Sequence, residues 1–124
     1  MAEFGFNFVR LPLDYRIWTV PDGGWREPQL KQIDQALDYG QRYGIHVCLC
    51  LHRAPGYHIG NDEPPLLWEE GADGDAKRRQ FLEQWRMFAA RYRDVPSQGL
   101  SFNLVNEPPY RISEDFYLRL VTPL

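Results

Sequence analysis

A short apolar segment near the carboxyl end of the chain leads into two polar side chains that can do chemistry. Residues 100–105 are followed by Asn106, Glu107 and two prolines. Because proline cannot donate to a sheet ladder, Pro108 is expected to end a strand and to leave Glu107 at its rim. A carboxylate there can move a proton in a pocket, and Asn106 offers hydrogen-bond donors and acceptors beside it. The alternative is a surface glutamate that merely closes a strand.

Two other predicted strands also end on polar groups that apolar packing does not explain. Arg10 lies near the end of a strand over 5–11, and His52 ends a strand over 45–52. Since the carboxyl ends of parallel strands meet at one edge of a sheet, these groups and Glu107 are predicted to converge there. Each also has a structural explanation, an ion pair with a loop acid for Arg10 and a hydrogen-bonded strand cap for His52.

The elements that would position these residues alternate between strand and helix. Apolar positions at helical spacing, Pro28 in a first turn and Gly44 as a stop predict a helix over 27–43. Further elements are predicted as a helix over about 75–93, a strand over 100–106 and a last helix beginning near 113. The alternation predicts an α/β fold with a parallel sheet and right-handed crossovers.

Composition and charge give no support for several kinds of partner and for a disulfide framework. The net charge of −3 gives no reason to expect nucleic acid or an anionic membrane as partner, and aromatic residues make up 15% of the 124 residues. The first residues lack the basic start and apolar stretch of a signal peptide, so the location of the protein stays open. Cys48 and Cys50 lie two apart in one predicted strand, which suits neighbouring thiols better than a disulfide framework.

Three segments together resemble one enzyme family. Residues 5–12 (GFNFVRLP), 51–57 (LHRAPGY) and 104–108 (LVNEP) are similar to the ends of the second, third and fourth barrel strands of glycoside hydrolase family 5. This is the family of cellulase-like retaining β-glycosidases, and the motifs occur here in the family's order. The resemblance covers nearly the whole chain, so residues 1–124 are predicted to form a single incomplete segment of a (β/α)8 TIM barrel.

The resemblance also implies roles for individual residues. Glu107 would be the general acid/base, Asn106 would hold the sugar 2-hydroxyl, and Arg10 would orient the catalytic nucleophile. His52 would contact sugar hydroxyls or steady the same network. The aromatic residues predicted as sugar platforms are Tyr57 and Trp18, whereas loop packing is favoured for Trp25 and Trp68.

The match to the family has a gap that matters for activity. No segment of the 124 residues matches the seventh strand, which carries the nucleophilic glutamate, and a whole barrel needs about 250 residues. The acids available in loops are Asp14, Glu63, Glu69 and Glu70, and none lies on a predicted strand. We therefore expect these residues alone to be inactive. The expected substrate is a β-1,4-glucan or a related β-glucoside, and no cofactor is required, since two carboxylates suffice.

Two alternatives remain open from the residues. An incomplete barrel exposes strand edges, so the chain is alternatively a non-catalytic assembly module that self-associates, or a carbohydrate-binding module. A metal protein is the other possibility, because four ligand types alternate on one strand face: His46, Cys48, Cys50 and His52. The rise of about 6.6 Å per two residues lets only adjacent pairs share an ion, so no metal site is predicted.

Overall fold

The computed structural model describes residues 1–60 and 62–124 of the chain, which form two compact units. The first unit comprises Met1–Leu51 and Asp94–Asn103, and the second comprises His52–Arg93 and Leu104–Leu124. The strands and helices, in chain order, are β1 (Phe8–Asp14), α1 (Glu27–Tyr43), β2 (His46–Ala54), β3 (Tyr57–His58), α2 (Ala72–Arg91), β4 (Leu100–Asn103) and α3 (Glu114–Val121).

The first unit is built around β2, which is hydrogen-bonded to both β1 and β4. β2 and β4 run parallel, in a register that pairs Val47 with Leu100 and Cys50 with Asn103. Helix α1 covers this unit with a buried stripe at helical spacing, formed by Leu30, Ile33, Leu37 and Gly40. Val47, Leu49 and Leu51 on β2 are buried as well, so apolar contact between helix and strand forms the core of this unit.

The predicted limits of α1 are confirmed, and so are the residues that set them. Pro28 lies in the first turn, where its missing N–H costs nothing. Gly44 ends the helix in the left-handed conformation, with φ of 64°, and its N–H bonds to carbonyls of the last turn. The predicted start of the last helix is also confirmed, because the Ser113 hydroxyl accepts a hydrogen bond from the Phe116 N–H at 3.2 Å.

The predicted limits of the first strand, 5–11, were wrong. Gly5 has φ of 79° and ends a short 3-10 helix over Ala2–Phe4, so pairing begins only at Phe8. The strand then runs through Pro12 to Asp14. Proline is tolerated there because, in the described part of the chain, β1 has β2 as its one neighbour, and an edge strand has N–H groups that need no ladder partner.

The other two strands also differ from the predicted ranges. β2 continues past His52 because Arg53 and Ala54 pair with His58 and Tyr57 in a hairpin. β4 stops at Asn103, three residues before the predicted end at 106, although Pro108 is the nearest residue that cannot pair. Its register with β2 ends at the Cys50–Asn103 pair. Beyond that point the chain bonds to side chains of the second unit.

The second unit packs α2 against the loop that precedes it. α2 begins at Ala72, three residues before the predicted start, and buries Phe81, Gln84, Trp85 and Phe88. The Arg78 guanidinium donates to the carbonyls of Leu67 and Glu69, at 3.2 and 2.6 Å. Within the described residues, no helix combines the length and apolar character that crossing a bilayer requires.

We expect Gly40→Ala to destabilise the chain by about 1 kcal/mol. A methyl group at Gly40 would lie 2.6 Å from Val47 Cγ2 and 2.8 Å from the Ile45 carbonyl oxygen. Overpacking of this kind costs about 1–3 kcal/mol, which exceeds the gain of about 1 kcal/mol in helix propensity. Denaturant unfolding checks the change, with exposed Gln41→Ala as control. A Gly40→Ala chain more stable than the parent would contradict the packing described here.

Candidate active site

The segment that follows β4 is held by hydrogen bonds from aromatic side chains. The Trp85 indole N–H donates to the Leu104 carbonyl at 3.0 Å, and the Tyr57 hydroxyl donates to the Glu107 carbonyl. Between these two anchors Val105 and Asn106 are buried, and Asn106 is only 2% exposed. The backbone is therefore fixed on both sides of Asn106, and Glu107 is the first exposed residue that the segment reaches.

Glu107 has an unusual backbone conformation. Among the described residues it is the one non-glycine residue with positive φ, at 45°. A side chain in the left-handed region costs roughly 1–2 kcal/mol. The following Pro108 adds to the cost, because a residue before proline prefers an extended conformation. Strain of this kind persists only where surrounding contacts impose it, and such positions cluster at functional sites.

Tyr57, which holds the Glu107 carbonyl, is itself tightly packed. Its side chain is 6% exposed, and its ring meets the Trp68 ring edge-on at 5.4 Å. Trp68 in turn stacks on Tyr117 of α3 at 6.4 Å. Burial raises the pKa of the Tyr57 hydroxyl above its ordinary value of 10.0, and the nearby Glu107 charge adds to that rise. The hydroxyl therefore remains protonated, and remains a donor, at neutral pH.

A groove of about 450 Å³ opens beside Glu107. Its walls come from the β3 hairpin with the loop after it and from the segment after β4; they are Tyr57, His58, Ile59, Gly60, Glu63, Pro65, Glu107, Pro108, Pro109, Tyr110 and Arg111. Tyr110 is fully exposed at this groove. A carboxylate, a cation and an open aromatic ring in one groove are groups that suit a polar ligand with apolar faces, such as a sugar chain.

An ion-pair cluster lies at one side of the groove. Arg53 pairs with Asp62 at 3.5 Å and with Glu63 at 2.7 Å, and His58 pairs with Asp62 at 2.5 Å. The pKa of Asp62 is lowered, first by a hydrogen bond from the backbone and then by the neighbouring charges. His58, Asp62 and Glu63 are ligand types close enough to share a cation. Because Arg53 already bonds both carboxylates, we interpret the group as an ion-pair cluster.

Arg10 lies in the first unit and contacts the thiol of Cys50. It donates from Nη2 to Cys50 Sγ at 2.8 Å, and Cys50 Sγ lies 3.6 Å from Asn103 Oδ1. Burial raises the pKa of the Cys50 thiol, and the Arg10 charge opposes that rise. The guanidinium is thus directed toward Cys50 in the middle of β2, whose register partner Asn103 ends β4.

Comparison with known proteins identifies the family. Residues 1–115 match the model of the cellulase family, glycosyl hydrolase family 5. The chain belongs to glycosyl hydrolase family 5. It is 34% identical over 109 residues to Endoglucanase C of Acetivibrio thermocellus, covering 86% of this chain and 30% of that protein. It is 30% identical over 128 residues to the probable glucan 1,3-beta-glucosidase A of Aspergillus fumigatus, covering 94% of this chain and 30% of that protein.

Solved structures agree on the fold. A crystal structure described as a glycoside hydrolase superposes with a TM-score of 0.84 at 39% identity, covering 98% of this chain and 39% of that chain. Cel5A of Thermotoga maritima, in complex with cellobiose, superposes with a TM-score of 0.67 at 22% identity, covering 97% and 35% of the two chains. The predicted fold class is confirmed as part of a (β/α)8 barrel. This family 5 chain spans about 30% of the length of the curated relatives it matches.

The structure places the predicted site residues of this family 5 chain in both units. Arg10 and Trp18 lie in the first unit, and the second contains His52, Tyr57, Asn106 and Glu107. Tyr57 and Glu107 are brought together by a hydrogen bond, and both line the groove. His52 is exposed and is not among the residues that line this groove.

The two aromatic residues predicted as sugar platforms, Trp18 and Tyr57, are both buried, and only Tyr57 lines the groove. Trp18 is 1% exposed, so its ring does not present a face to a ligand in this arrangement. Tyr57 reaches the groove but is also buried. The exposed ring at the groove is Tyr110, which sequence reasoning missed, although its position directly after Pro108-Pro109 is a signal that could have drawn attention to it.

Two of the four possible metal ligands on β2, His46 and Cys50, have other partners in this family 5 chain. His46 Nδ1 lies 2.9 Å from the Gln98 carbonyl, and its Nε2 lies 2.8 Å from the Ser101 hydroxyl. Its ring also stacks on Phe8. Since both ring nitrogens are within hydrogen-bond distance of other protein groups, His46 already has structural partners.

We expect Glu107→Gly to be more stable than Glu107→Ala by about 1 kcal/mol. Both changes remove the carboxylate, but only glycine relieves the cost of positive φ at this position. The measurement is the free energy of unfolding in denaturant. Glu83, exposed on α2, is the matched control, since alanine should be favoured over glycine there by about 1 kcal/mol. Equal stability of the two Glu107 variants would contradict the strain.

We expect Tyr57→Phe to lower the free energy of unfolding by about 1 kcal/mol near neutral pH, because one buried hydrogen bond is lost. The pKa of Tyr57 is raised in the folded chain, so its contribution is complete below the ordinary value of 10.0 and is lost as pH rises through the folded-state pKa. Unfolding curves of both chains across the alkaline range check this. A difference that stays constant to high pH would contradict the assignment.

Proposed function

We propose that Glu107 is the general acid/base of a retaining β-glycosidase that acts on β-1,4-glucans or related β-glucosides. The observation that carries the proposal is the position of this exposed carboxylate. It follows β4, beside a groove, in a strained backbone conformation held by buried groups. Family 5 membership supports glycoside hydrolysis as the reaction. Among the described residues that line the groove, the other acid is Glu63, which Arg53 already bonds at 2.7 Å.

The proposed chemistry assigns Glu107 two proton transfers. It first donates a proton to the leaving glycosidic oxygen, while a second carboxylate about 5–5.5 Å away attacks the anomeric carbon. It then removes a proton from the water that hydrolyses the glycosyl-enzyme intermediate. Since Glu63 lies in the loop after β3 and not at a strand end, we place the nucleophile outside these 124 residues. No metal or organic cofactor is needed, because two carboxylates suffice.

The neighbouring residues receive supporting roles in this proposal. Asn106 directly precedes Glu107 in a fixed, buried segment, and it would bond the 2-hydroxyl of the sugar at the cleavage point. Arg10 would orient and keep ionised the nucleophile, as a bidentate donor suited to carboxylates. His52, which is exposed on β2 two residues before the strand ends, would contact sugar hydroxyls.

The names of the relatives support a glucan substrate. The curated relatives at 30% identity or more include an endoglucanase, a probable glucan 1,3-beta-glucosidase and a cellodextrinase from Ruminococcus flavefaciens. Glucans or their fragments are common to these names, whereas the linkage and the mode of cleavage differ between them. We therefore propose the glucose unit as the element that is recognised, with β-1,4-linked chains as the first substrate to test.

The experiment needs the missing part of the barrel. A hybrid enzyme is made in which residues 1–124 replace the matching segment of the 39% identical glycoside hydrolase. We expect it to hydrolyse cello-oligosaccharides, and Glu107→Gln to lower kcat on them by about 100-fold or more. For an aryl cellobioside with a strongly acidic leaving group, the rate of glycosidic bond cleavage should be little changed in Glu107→Gln, since the leaving oxygen needs no proton. Glu83→Gln, on the exposed face of α2, is the matched control.

Two results would contradict the proposal. One is a hybrid whose activity on cello-oligosaccharides survives Glu107→Gln unchanged. The other is Glu107-dependent hydrolysis by residues 1–124 alone, since the nucleophile would then come from this chain or a second copy of it. Binding of cello-oligosaccharides by an inactive hybrid would instead support the carbohydrate-binding alternative.

A further inference from the structure

The direction in which the Glu107 side chain leaves the backbone depends on one backbone angle, φ. Pairing of β4 ends at Asn103, so the sheet ladder does not fix the segment over 104–107. The Cα–Cβ bond of Glu107 leaves the backbone in a direction set by its φ of 45°. An extended conformation, which the following proline favours, would turn that bond away from its present direction. Some contact outside the segment must therefore hold the left-handed conformation.

The hydroxyl of Tyr57 provides that contact, because it donates to the Glu107 carbonyl. The hydroxyl is held in place by its own surroundings. Tyr57 packs edge-on against Trp68, and the preceding Gly56 has φ of 72° at a turn where an added Cβ would lie 2.9 Å from the Leu67 N–H nitrogen. The Gly56 carbonyl also accepts from that Leu67 N–H, at 3.1 Å. The donor is thus part of a packed cluster within the second unit.

We propose that Tyr57 is a positioning residue for the acid/base: through its hydrogen bond to the Glu107 carbonyl, it holds the carboxylate in the direction needed for proton transfer. This inference rests on the proposed function of Glu107. Tyr57 moves no proton and reaches the reaction only through the Glu107 backbone. It differs in this way from the sugar-platform role predicted for the same residue.

The first test reads the Glu107 backbone in the 124-residue chain by NMR. A positive φ brings the amide and α protons of one residue close together and gives a strong intraresidue cross-peak between them. We expect this cross-peak at Glu107 in the parent chain. In Tyr57→Phe we expect the same cross-peak to be markedly weaker. Tyr117→Phe is the matched control, because it removes a hydroxyl from the same aromatic cluster and leaves the Glu107 bond in place. An unchanged cross-peak in Tyr57→Phe would overturn the proposal.

A double-mutant cycle keeps the test decisive if Tyr57→Phe unfolds part of the chain. Glycine at position 107 adopts positive φ without a supporting contact. Its carbonyl still accepts the Tyr57 bond, whereas in the parent the loss of that bond also lets Glu107 relax and recover its backbone strain. We therefore expect Tyr57→Phe to shift the denaturant midpoint more in a Glu107→Gly background than in the parent. Equal shifts in the two backgrounds would mean that Tyr57 stabilises the fold but does not hold Glu107.

The second test is kinetic and uses the hybrid enzyme. Poor acid catalysis slows substrates with basic leaving groups and spares those with acidic ones. We expect Tyr57→Phe to lower kcat on cello-oligosaccharides by about tenfold or more, with KM and the rate on the activated aryl cellobioside little changed. Equal losses on both substrates would overturn a positioning role.

If Glu107→Gln leaves cello-oligosaccharide hydrolysis unchanged, the proposed function of Glu107 is wrong. If Glu107→Gln lowers that activity and Tyr57→Phe does not, only the positioning role of Tyr57 is wrong.

Discussion

The hydrogen bond from Tyr57 to the Glu107 carbonyl is the interaction on which the candidate site depends. A strand supplies rigidity only as far as its ladder extends, and β4 is paired no further than Asn103. The next four residues gain their rigidity from buried aromatic donors, Trp85 at Leu104 and Tyr57 at Glu107. Side chains from α2 and from the β3 hairpin thus fix this segment within the second unit. The Glu107 side chain is exposed at the groove, whereas the Tyr57 side chain that bonds its carbonyl is buried.

The backbone conformation of Glu107 lowers the stability of the folded chain and fixes the direction of its Cα–Cβ bond. A glutamate at positive φ before a proline is a poor local choice, and glycine would occupy the position at lower cost. Carboxylate chemistry requires the side chain, so the backbone strain is offset by the packing of Tyr57, Trp68 and Tyr117. Conflicts between local preference and observed structure are expected at functional sites, and the rest of the second unit shows why this one is tolerated.

Sequence reasoning located the helices well because their signals are local. The apolar stripe of α1, the glycine that ends it and the serine that caps α3 all act within a turn of the residues they affect. Strand ends were less predictable, since β4 ends where its register with β2 ends, and Pro12 is tolerated because β1 is paired on one side in the described sheet. Glu107 was predicted as a site residue from its motif, but its supporting bond joins residues 50 apart in sequence. Nothing in the local pattern of Tyr57 distinguishes a buried donor from a sugar-binding ring.

Azide rescue of Glu107→Ala in the hybrid enzyme is the most direct test of the acid/base assignment. An activated aryl β-cellobioside forms the glycosyl-enzyme without acid catalysis, and azide can attack that intermediate without a general base. We predict a slow variant whose turnover rises with added azide and whose product is the β-configured glycosyl azide. An α-configured azide would identify Glu107 as the nucleophile instead. A variant that turns over this substrate at the parent rate without azide would show that Glu107 takes no part in either step.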